Sequence, residues 1–217
     1  MTPQTSLSAI VLCGGQSRRM GHDKASLMIG NQTFLQHTCG IACQVASFVV
    51  VVAGADQAVA EDFSDAVTVI RDPVPFPGPL PALLQGTDAL LGQVASDEIS
   101  HTSVWVTGCD TPFVTSEIIS KLATNRLDHN ADATTLTQAG QDNPLLAVYS
   151  LNALRQLHGF LASQRFRATD FLQSLNVSRL PVEAISRDEN TPPATTNLNT
   201  PNDFSQAFGF NSKRTNL

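Results

Sequence analysis

The stretch that decides the fold is LSAIVLCGGQSRRMGHDKASL, from Leu7 to Leu27, an apolar run followed by a loop rich in glycine and cations. Its first part, Leu7 to Cys13, is nearly all apolar, which predicts a strand buried on both faces of a sheet. In its second part, paired glycines allow the backbone to approach a ligand closely and to point successive N–H groups at an anion. The stretch therefore predicts an anion site at the end of a buried strand.

Strand-like runs alternate with helical patterns along the rest of the chain. The further predicted strands are 47–53, 67–70, 102–107, 131–137, 145–149 and 179–182, with the polar turn QAGQDNP joining the fourth and fifth of these. The predicted helices are 34–46, a stretch from Leu80 to Leu91, 168–175 and 201–208. This alternation predicts an α/β fold with a largely parallel sheet. We expect one domain over residues 1–210 and a disordered tail over 211–217.

Composition narrows the class of protein. Of the 217 residues, 42% are hydrophobic and 15% are charged, which is typical of a globular protein with a sizeable core. The net charge of −6 argues against broad binding to nucleic acid, which needs a basic face. The longest apolar run, Phe48 to Ala53, is too short to span a membrane. With no visible secretory signal and only four cysteines, we expect a cytoplasmic protein with reduced thiols.

The loop after the first strand carries three cations within seven residues, namely Arg18, Arg19 and Lys24. This density favours a cradle for a polyphosphate over a solvated basic loop. Two familiar phosphate-binding loops do not fit. A Walker A loop has GxxxxGK[ST], whereas here five residues separate Gly15 from Gly21, and His22-Asp23 precede Lys24. The dinucleotide fingerprint GxGxxG is absent.

Two further stretches hold candidate metal ligands. Asp110, in GCDTP, follows the predicted strand 102–107, and a carboxylate beside a triphosphate is a natural Mg²⁺ ligand. The alternative is a turn or helix-cap aspartate before Pro112. In NLNTPND, Asn197 and Asn199 point the same way if the chain is extended and offer neutral ligands. Helix capping by Thr200 is the alternative there.

In the residues of these stretches, the chain resembles the molybdenum cofactor guanylyltransferase (MobA) family, and the resemblance extends from about Leu7 to Phe208. LCGGQSRRMGHDK is similar to the family's LAGGxxxRMGxDK, and Asp72 with Gly78-Pro79-Leu80 is similar to its D…GPL loop. CDTP and NLNTP are similar to its CDTP and NxNTP. The resemblance implies a three-layer α/β/α, Rossmann-like nucleotidyltransferase fold in a single domain with a mostly parallel central sheet.

The resemblance also implies roles for individual residues. Lys24, Arg19 and Asp110 would be catalytic, with Asp110 holding Mg²⁺ and the two cations stabilising pyrophosphate. The residues expected to bind the nucleotide are Leu12, Cys13, Gly14, Gly15, Lys24, Asp72, Asp110 and Asn199. Asp72 would lie near the guanosine, and Asn199 would complete the metal or product site. Arg167 resembles an arginine near the family's pterin side.

The chain departs from the family pattern at three places. Cys13 replaces an alanine, and the family's asparagine after the second strand is missing from Val52-Ala53-Gly54. The family's acidic-His-Pro turn is Asp142-Asn143-Pro144 here. These departures leave the base contact and the pterin side open.

The activity implied is transfer of GMP from GTP to the terminal phosphate of molybdopterin, with release of pyrophosphate. The partners implied are GTP, molybdopterin and other molybdenum-cofactor proteins, without nucleic acid or membrane. Two alternatives stay open. One is nucleotidyl transfer to another acceptor, such as cytidylyl transfer to a pterin or a sugar phosphate. The other is a nucleotide-binding adaptor without turnover.

Overall fold

The computed structural model describes residues 6–14, 27–59, 62–72, 78–185, 192–196 and 198. The strands are β1 (Leu7–Leu12), β2 (Met28–Ile29), β3 (Gln32–Thr33), β4 (Phe48–Gly54), β5 (Val67–Asp72), β6 (Ser103–Gly108), β7 (Ala133–Gln138), β8 (Gln141–Ser150) and β9 (Val177–Pro181). The helices are α1 (Phe34–Ala42), α2 (Pro79–Leu91), α3 (Ser116–Asp128), α4 (Leu151–Leu154), α5 (Leu157–Ala162) and α6 (Ala168–Gln173). Short 3₁₀ turns lie at Ile99–His101 and Val182–Ala184.

Seven strands form one sheet in the order β5-β4-β1-β6-β8-β7-β9, and β2 and β3 form a separate small hairpin. In the seven-stranded sheet, β8 is antiparallel to β6 and β7, and the other pairings are parallel. β1 lies between β4 and β6, with Leu12 opposite both Val52 and Gly108. The strands β1, β4, β5 and β6 therefore end along one edge of the sheet, and β8 begins at that edge.

Helices cover both faces of this sheet. Ile10 of β1 packs into the same apolar cluster as Leu83 of α2, together with α4, α5 and α6. The next residue, Val11, belongs to the cluster on the opposite face, which contains Leu35 of α1 and Ile119 of α3. Successive side chains of a strand point to opposite faces, so a continuous apolar strand serves both clusters. The predicted three-layer α/β/α fold with a mostly parallel sheet is confirmed.

Local sequence explains where the main helices begin. The Thr33 side chain accepts from the Gln36 N–H while the Gln36 side chain accepts from the Thr33 N–H, a capping box that opens α1. α2 begins with Pro79, whose fixed φ suits the first helical position. Thr115 caps α3 by accepting from the Ile118 N–H. Within the described ranges, no helix has the length and apolar character that a membrane span requires.

Several elements differ from the sequence-based prediction. Helices α3, α4 and α5 and the β2–β3 hairpin were not predicted. The polar turn QAGQDNP is much shorter than predicted, because β8 already begins at Gln141. The reversal takes place at Ala139 and Gly140, whose φ angles of 49° and 75° suit a tight hairpin turn. Helix α1 ends at Ala42, with Cys43 as its C-cap, four residues before the predicted end. The predicted helix 201–208 and the tail 211–217 lie outside the described residues.

Candidate active site

The candidate site lies at the carboxyl edge of the sheet, where β1, β4, β5 and β6 end. Cys13 and Gly14 follow β1 directly, Asp72 is the last residue of β5, and Asp110 follows β6 by two residues. Loops at the carboxyl ends of parallel strands form the usual ligand crevice of an open α/β sheet. The predicted site residues placed along this edge are Leu12, Cys13, Gly14, Asp72 and Asp110.

The backbone after β1 is tied to β4. The N–H groups of Cys13 and Gly14 both donate to the Val52 carbonyl oxygen, at 3.0 and 3.2 Å. The Gly14 N–H is therefore engaged within the fold, whereas the sequence predicted that it would point at an anion. Backbone N–H groups that hold a phosphate at this loop would have to come from residues after Gly14.

Gln57, in the turn after β4, holds the ends of β1 and β4 together. Its Nε2 donates to the Cys13 carbonyl oxygen at 2.9 Å, and its Oε1 accepts from the Gly54 N–H at 2.9 Å. The Cys13 thiol also lies 3.7 Å from that Oε1. An amide side chain is thus present beside the end of β4, although it comes from Gln57 and not from positions 52–54.

Gly14 lies so close to β4 that a larger residue would crowd the β4 backbone. A Cβ atom at Gly14 would lie 3.1 Å from the backbone nitrogen of Gly54 and 3.5 Å from the carbonyl carbon of Ala53. Backbone atoms of a central strand cannot move aside as a flexible side chain can. The close approach of two strand ends therefore favours glycine at this position, because an added methyl group would have to push the Gly54 backbone nitrogen aside.

Asp72 is a buried carboxylate, with 6% of its surface exposed. Its Oδ1 accepts from Nε2 of Gln85, on the second turn of α2, at 3.2 Å. Gly78, which precedes α2, has a φ of 156°, and a Cβ atom there would lie 3.3 Å from the Phe166 carbonyl oxygen. The start of α2 therefore lies against the segment that contains Phe166 and Arg167.

The loop after β6 holds Asp110 in a defined conformation. The hydroxyls of Thr107 and Thr111, both buried, lie 3.1 Å apart, and the Thr107 hydroxyl donates to the Gly108 carbonyl oxygen at 3.0 Å. A Cβ atom at Gly108 would lie 2.7 Å from Oδ1 of Asp110. The carboxylate thus folds back over the glycine and occupies the space that a side chain there would fill.

The C-terminal asparagine motif reaches Asp110. Leu198, which is 1% exposed, donates its backbone N–H to the Asp110 carbonyl oxygen at 2.9 Å. In the same part of the chain, the Thr195 hydroxyl donates to Oε1 of Gln138 at 2.7 Å. The segment in which the sequence predicted a second metal ligand therefore contacts the loop that carries the first.

Four of the predicted site residues lie outside the described residues, namely Gly15, Arg19, Lys24 and Asn199. Their roles stay predictions. The described chain resumes at Leu27, whose carbonyl oxygen accepts from the Phe34 N–H at 2.7 Å, and the β2–β3 hairpin follows.

Sequence reasoning missed three polar side chains that hold the site loops: His37, Gln57 and Gln85. Each is a single polar residue in a helix or turn and belongs to none of the motifs. For Gln85, its position five residues after Leu80, the predicted helix start, in a helix that follows Asp72 closely in the chain, is a usable signal. His37 and Gln57 each also bind a loop that is distant in the chain, at Pro112 and Cys13 respectively, and no local pattern marks those contacts.

Cys39 and Cys109 are buried thiols near the site. Burial, followed by the neighbouring Cys43 and Cys109 thiols, raises the pKa of Cys39 to about 12. Cys109, beside Asp110, is 4% exposed and belongs to the same apolar cluster. Such thiols behave as small apolar side chains and not as nucleophiles.

Charged side chains also lie near the start of β8 and at the start of α6. The Arg179 guanidinium binds both carboxylate oxygens of Asp142, at 3.0 and 3.1 Å, so the acidic residue of the Asp142-Asn143-Pro144 turn is neutralised. Arg167 is exposed at the start of α6. Because Arg167 is an exposed cation beside the start of α2, it can bind an anionic ligand there.

Comparison with known proteins identifies the family of this fold. The sequence profile of the MobA-like NTP transferase domain matches residues 9–178. A protein of Carboxydothermus hydrogenoformans, described as a probable molybdenum cofactor guanylyltransferase, is 29% identical over 199 residues, which are 92% of this chain and 93% of that protein. A protein of Mycobacterium tuberculosis H37Rv with the same description is 36% identical over 152 residues, 69% of this chain and 71% of that protein.

A solved structure agrees with these sequence matches. The crystal structure of molybdopterin-guanine dinucleotide biosynthesis protein A from Archaeoglobus fulgidus superposes with a TM-score of 0.71 at 25% identity, covering 95% of this chain and 99% of that chain. The strand order, the motifs at the sheet edge and these matches lead to one assignment. The chain belongs to the MobA-like NTP transferase family.

Proposed function

We propose that this protein transfers the GMP moiety of GTP to the terminal phosphate of molybdopterin, forming the guanine dinucleotide and releasing pyrophosphate. The observation that carries the proposal is the meeting of the motifs at one sheet edge. Gly14 after β1, the buried Asp72 at the end of β5 and the Asp110 loop after β6 lie along that edge, and the Leu198 N–H donates to the Asp110 carbonyl oxygen. Relatives described as guanylyltransferases match over nearly the whole chain.

The reaction is a direct displacement at phosphorus. An oxygen of the acceptor phosphate forms a bond to the α-phosphorus of GTP, and the bond from that phosphorus to the oxygen bridging to the β-phosphate breaks. Pyrophosphate leaves with the electron pair of that bond. Because the acceptor phosphate is already an anion, no general base is needed. The protein has to align the groups and to neutralise the developing charge.

Asp110 is the residue proposed to hold a divalent cation, Mg²⁺. Its carboxylate lies at the sheet edge over Gly108, and the chain at Leu198 lies beside it. Within the described ranges, no group of three or more His, Cys, Asp or Glu side chains forms a metal site. That finding suits Mg²⁺, which uses one or two carboxylates and takes its other ligands from phosphates and water. When bound, the ion supplies charge neutralisation at the reacting phosphates.

The remaining roles follow the family motifs and are part of the proposal. Leu12, Cys13, Gly14 and Gly15 line the base and phosphate pocket, and Asp72 lies near the guanosine. Lys24 and Arg19 stabilise the pyrophosphate, and Asn199 completes the metal or product site. We expect the reaction to take place in the cytoplasm, where the thiols of the chain stay reduced.

The proposed function is tested by incubating the purified protein with molybdopterin, Mg²⁺ and each nucleoside triphosphate in turn, and measuring pyrophosphate release. We expect GTP to be preferred over CTP by at least about tenfold in kcat/KM, since the guanine edge differs from that of cytosine in both donors and acceptors. Equal use of GTP and CTP would contradict guanylyl transfer. A preference for CTP, or turnover only with a sugar phosphate, would identify a different transferase of this fold.

The role of Asp110 is tested by Asp110→Asn. The substitution preserves the shape of the side chain and removes its charge, so the melting temperature should change little. We expect kcat to fall by about 10²-fold or more, because metal and charge stabilisation contribute several kcal/mol. Asp128→Asn, at the exposed end of α3, is the matched control and should retain activity. Binding of GTP without turnover by the unchanged protein would favour an adaptor.

A further inference from the structure

His37 of α1 bridges two parts of the molecule that carry site residues. Its Nε2 lies 3.0 Å from the Pro112 carbonyl oxygen, in the loop that carries Asp110. Its Nδ1 lies 2.9 Å from Nε2 of Gln32, at the start of β3. The β2–β3 hairpin follows directly on the stretch that contains Lys24. One imidazole therefore joins the metal loop to the chain that follows the predicted phosphate cradle.

The hydrogen bonds fix which ring nitrogen carries the proton. The Pro112 carbonyl oxygen can only accept, so Nε2 of His37 donates to it. In the neutral ring Nδ1 is then an acceptor, and the Gln32 amide nitrogen is a donor. Donors and acceptors match at both ends, so the ring is held in one orientation and in one tautomer.

The hydrogen bond from His37 to Pro112 affects the position of Asp110 because the two residues lie in the same short loop after β6. Pro112 is buried and lies two residues after Asp110. On the Asp110 side, the loop is held by the Leu198 N–H, at 2.9 Å from the Asp110 carbonyl oxygen. Without His37, the Pro112 carbonyl oxygen loses its donor from α1, and the loop loses one of its attachments to the rest of the fold.

We propose that His37 is a positioning residue, whose Nε2–H holds the Pro112 carbonyl oxygen and thereby sets the position of the Asp110 carboxylate for metal binding. The inference rests on the proposed function for the identity of the reaction, but it also makes a claim about metal affinity alone. His37 contacts neither substrate nor metal. Its effect should therefore follow the hydrogen bond to Pro112 and not the presence of the ring.

Two substitutions with side chains of different length distinguish the effect of the hydrogen bond to Pro112 from the effect of the imidazole ring. In His37→Gln, the amide nitrogen can reach the position of Nε2 and keep the bond to Pro112. In His37→Asn, the shorter amide reaches only the position of Nδ1, so the bond to Gln32 can persist while the bond to Pro112 is lost. The control is His158→Ala on α5, which removes a histidine bonded at 2.9 Å to Asp88 on the opposite face of the sheet.

The full-length protein and each variant are titrated with Mn²⁺ in the presence of GTP, and free Mn²⁺ is followed by electron paramagnetic resonance. We expect His37→Asn to bind Mn²⁺ about three- to tenfold more weakly, as loss of one half-buried hydrogen bond implies. His37→Gln and His158→Ala should stay within about twofold of the unchanged protein. In the transferase assay, kcat should fall in His37→Asn by a similar factor, with a smaller change in the KM for GTP.

Several results would overturn the inference. They are Mn²⁺ affinity in His37→Asn equal to that of the unchanged protein, a loss in His37→Gln as large as in His37→Asn, or no Mn²⁺ binding by the unchanged protein. A lower melting temperature in His37→Asn with unaltered Mn²⁺ affinity would show a purely structural role. If the unchanged protein binds Mn²⁺ and GTP but transfers no GMP, the proposed function fails while the Mn²⁺ titration still tests His37.

Discussion

Gly108 shows how a missing side chain determines where a functional group lies. The Asp110 carboxylate occupies the space above the Gly108 Cα, and a Cβ atom there would lie 2.7 Å from Oδ1. That oxygen is the far end of a side chain, so it can move away when a methyl group is added. The fold can accept the methyl, but the carboxylate cannot keep its position.

We therefore expect Gly108→Ala to impair catalysis more than folding. Displacing the carboxylate should lower kcat about tenfold or more, because a metal ligand displaced by about 1 Å no longer holds the metal in the geometry that the reaction needs. The free energy of unfolding, measured by urea denaturation, should fall by no more than about 1–2 kcal/mol. Gly40→Ala is the control, since nothing lies within 4 Å of a Cβ atom there. Full activity in Gly108→Ala would mean that the carboxylate position is not critical.

Cys39 predicts a stability change at alkaline pH. Burial first, and the Cys43 and Cys109 thiols second, raise its pKa from 9.0 to about 12, so the folded state favours the protonated thiol. This contribution is complete below pH 9.0 and is lost as the pH rises toward 12, because the unfolded chain ionises first. The free energy of unfolding should fall across this interval. Cys39→Ala should show a shallower fall, since Tyr149, whose pKa burial also raises, still contributes.

At the scale of the elements, the site depends on how strand ends are joined. β1 and β4 end side by side, and Gln57 bonds both, through the Cys13 carbonyl oxygen and the Gly54 N–H. Arg71 of β5 holds the same turn by donating to the carbonyl oxygens of Gly54, Ala55 and Gln57. The end of β1 at Cys13 is thus joined to the turn after β4, and that turn is joined to β5.

Gln57→Glu should break one of the two hydrogen bonds that the Gln57 side chain makes to the strand ends and keep the other. The carboxylate can still accept from the Gly54 N–H but cannot donate to the Cys13 carbonyl oxygen. We expect the KM for GTP to rise about three- to tenfold while kcat changes less, because the turn contributes to nucleotide binding. Gln93→Glu is the control, as the Gln93 side chain makes an exposed contact of 3.4 Å with Thr68 on β5. A KM unchanged in Gln57→Glu would separate this amide from nucleotide binding.

The elements that sequence predicted well are those whose apolar pattern is dense. β1 was predicted as Leu7 to Cys13 and is Leu7–Leu12, since a run buried on both faces is almost entirely apolar. Helix α3 was missed, because among its residues only Ile119, Leu122 and the polar Arg126 are buried. The β2–β3 hairpin was missed because two-residue strands carry no periodicity.

Each motif predicted candidate residues of the site, but no motif predicted the contacts that join these residues to other parts of the chain. Asp110 and Asp72 follow apolar strands, and strand order alone places them on one edge. The bond from Leu198 to Asp110 and the bond from His37 to Pro112 join residues far apart in the chain. Such bonds depend on how helices and loops dock onto the sheet, which short-range patterns do not determine.

For the whole molecule, nucleotide binding should appear as added stability. A ligand that binds only the folded state at about 100 times its Kd stabilises that state by about 2.7 kcal/mol. For a chain of this size the melting temperature should rise by about 5–10 °C with GTP and Mg²⁺. Asp110→Asn should lose the increment that depends on Mg²⁺ and keep the increment from GTP alone. Thermal unfolding followed by circular dichroism measures both, and an equal rise with CTP would argue against guanine selection.

The central place of β1 in the sheet has a consequence for synthesis of the chain. Leu7 pairs with Ser103 of β6, so one side of the first strand waits for a partner made much later. At about 5–20 residues per second, the wait on the ribosome lasts roughly 5–20 s. During that time β4 can cover one edge of β1, while the other edge, apolar on both faces, stays open to mispairing. Nascent chains that stall before Ser103 are therefore the species most in need of a chaperone.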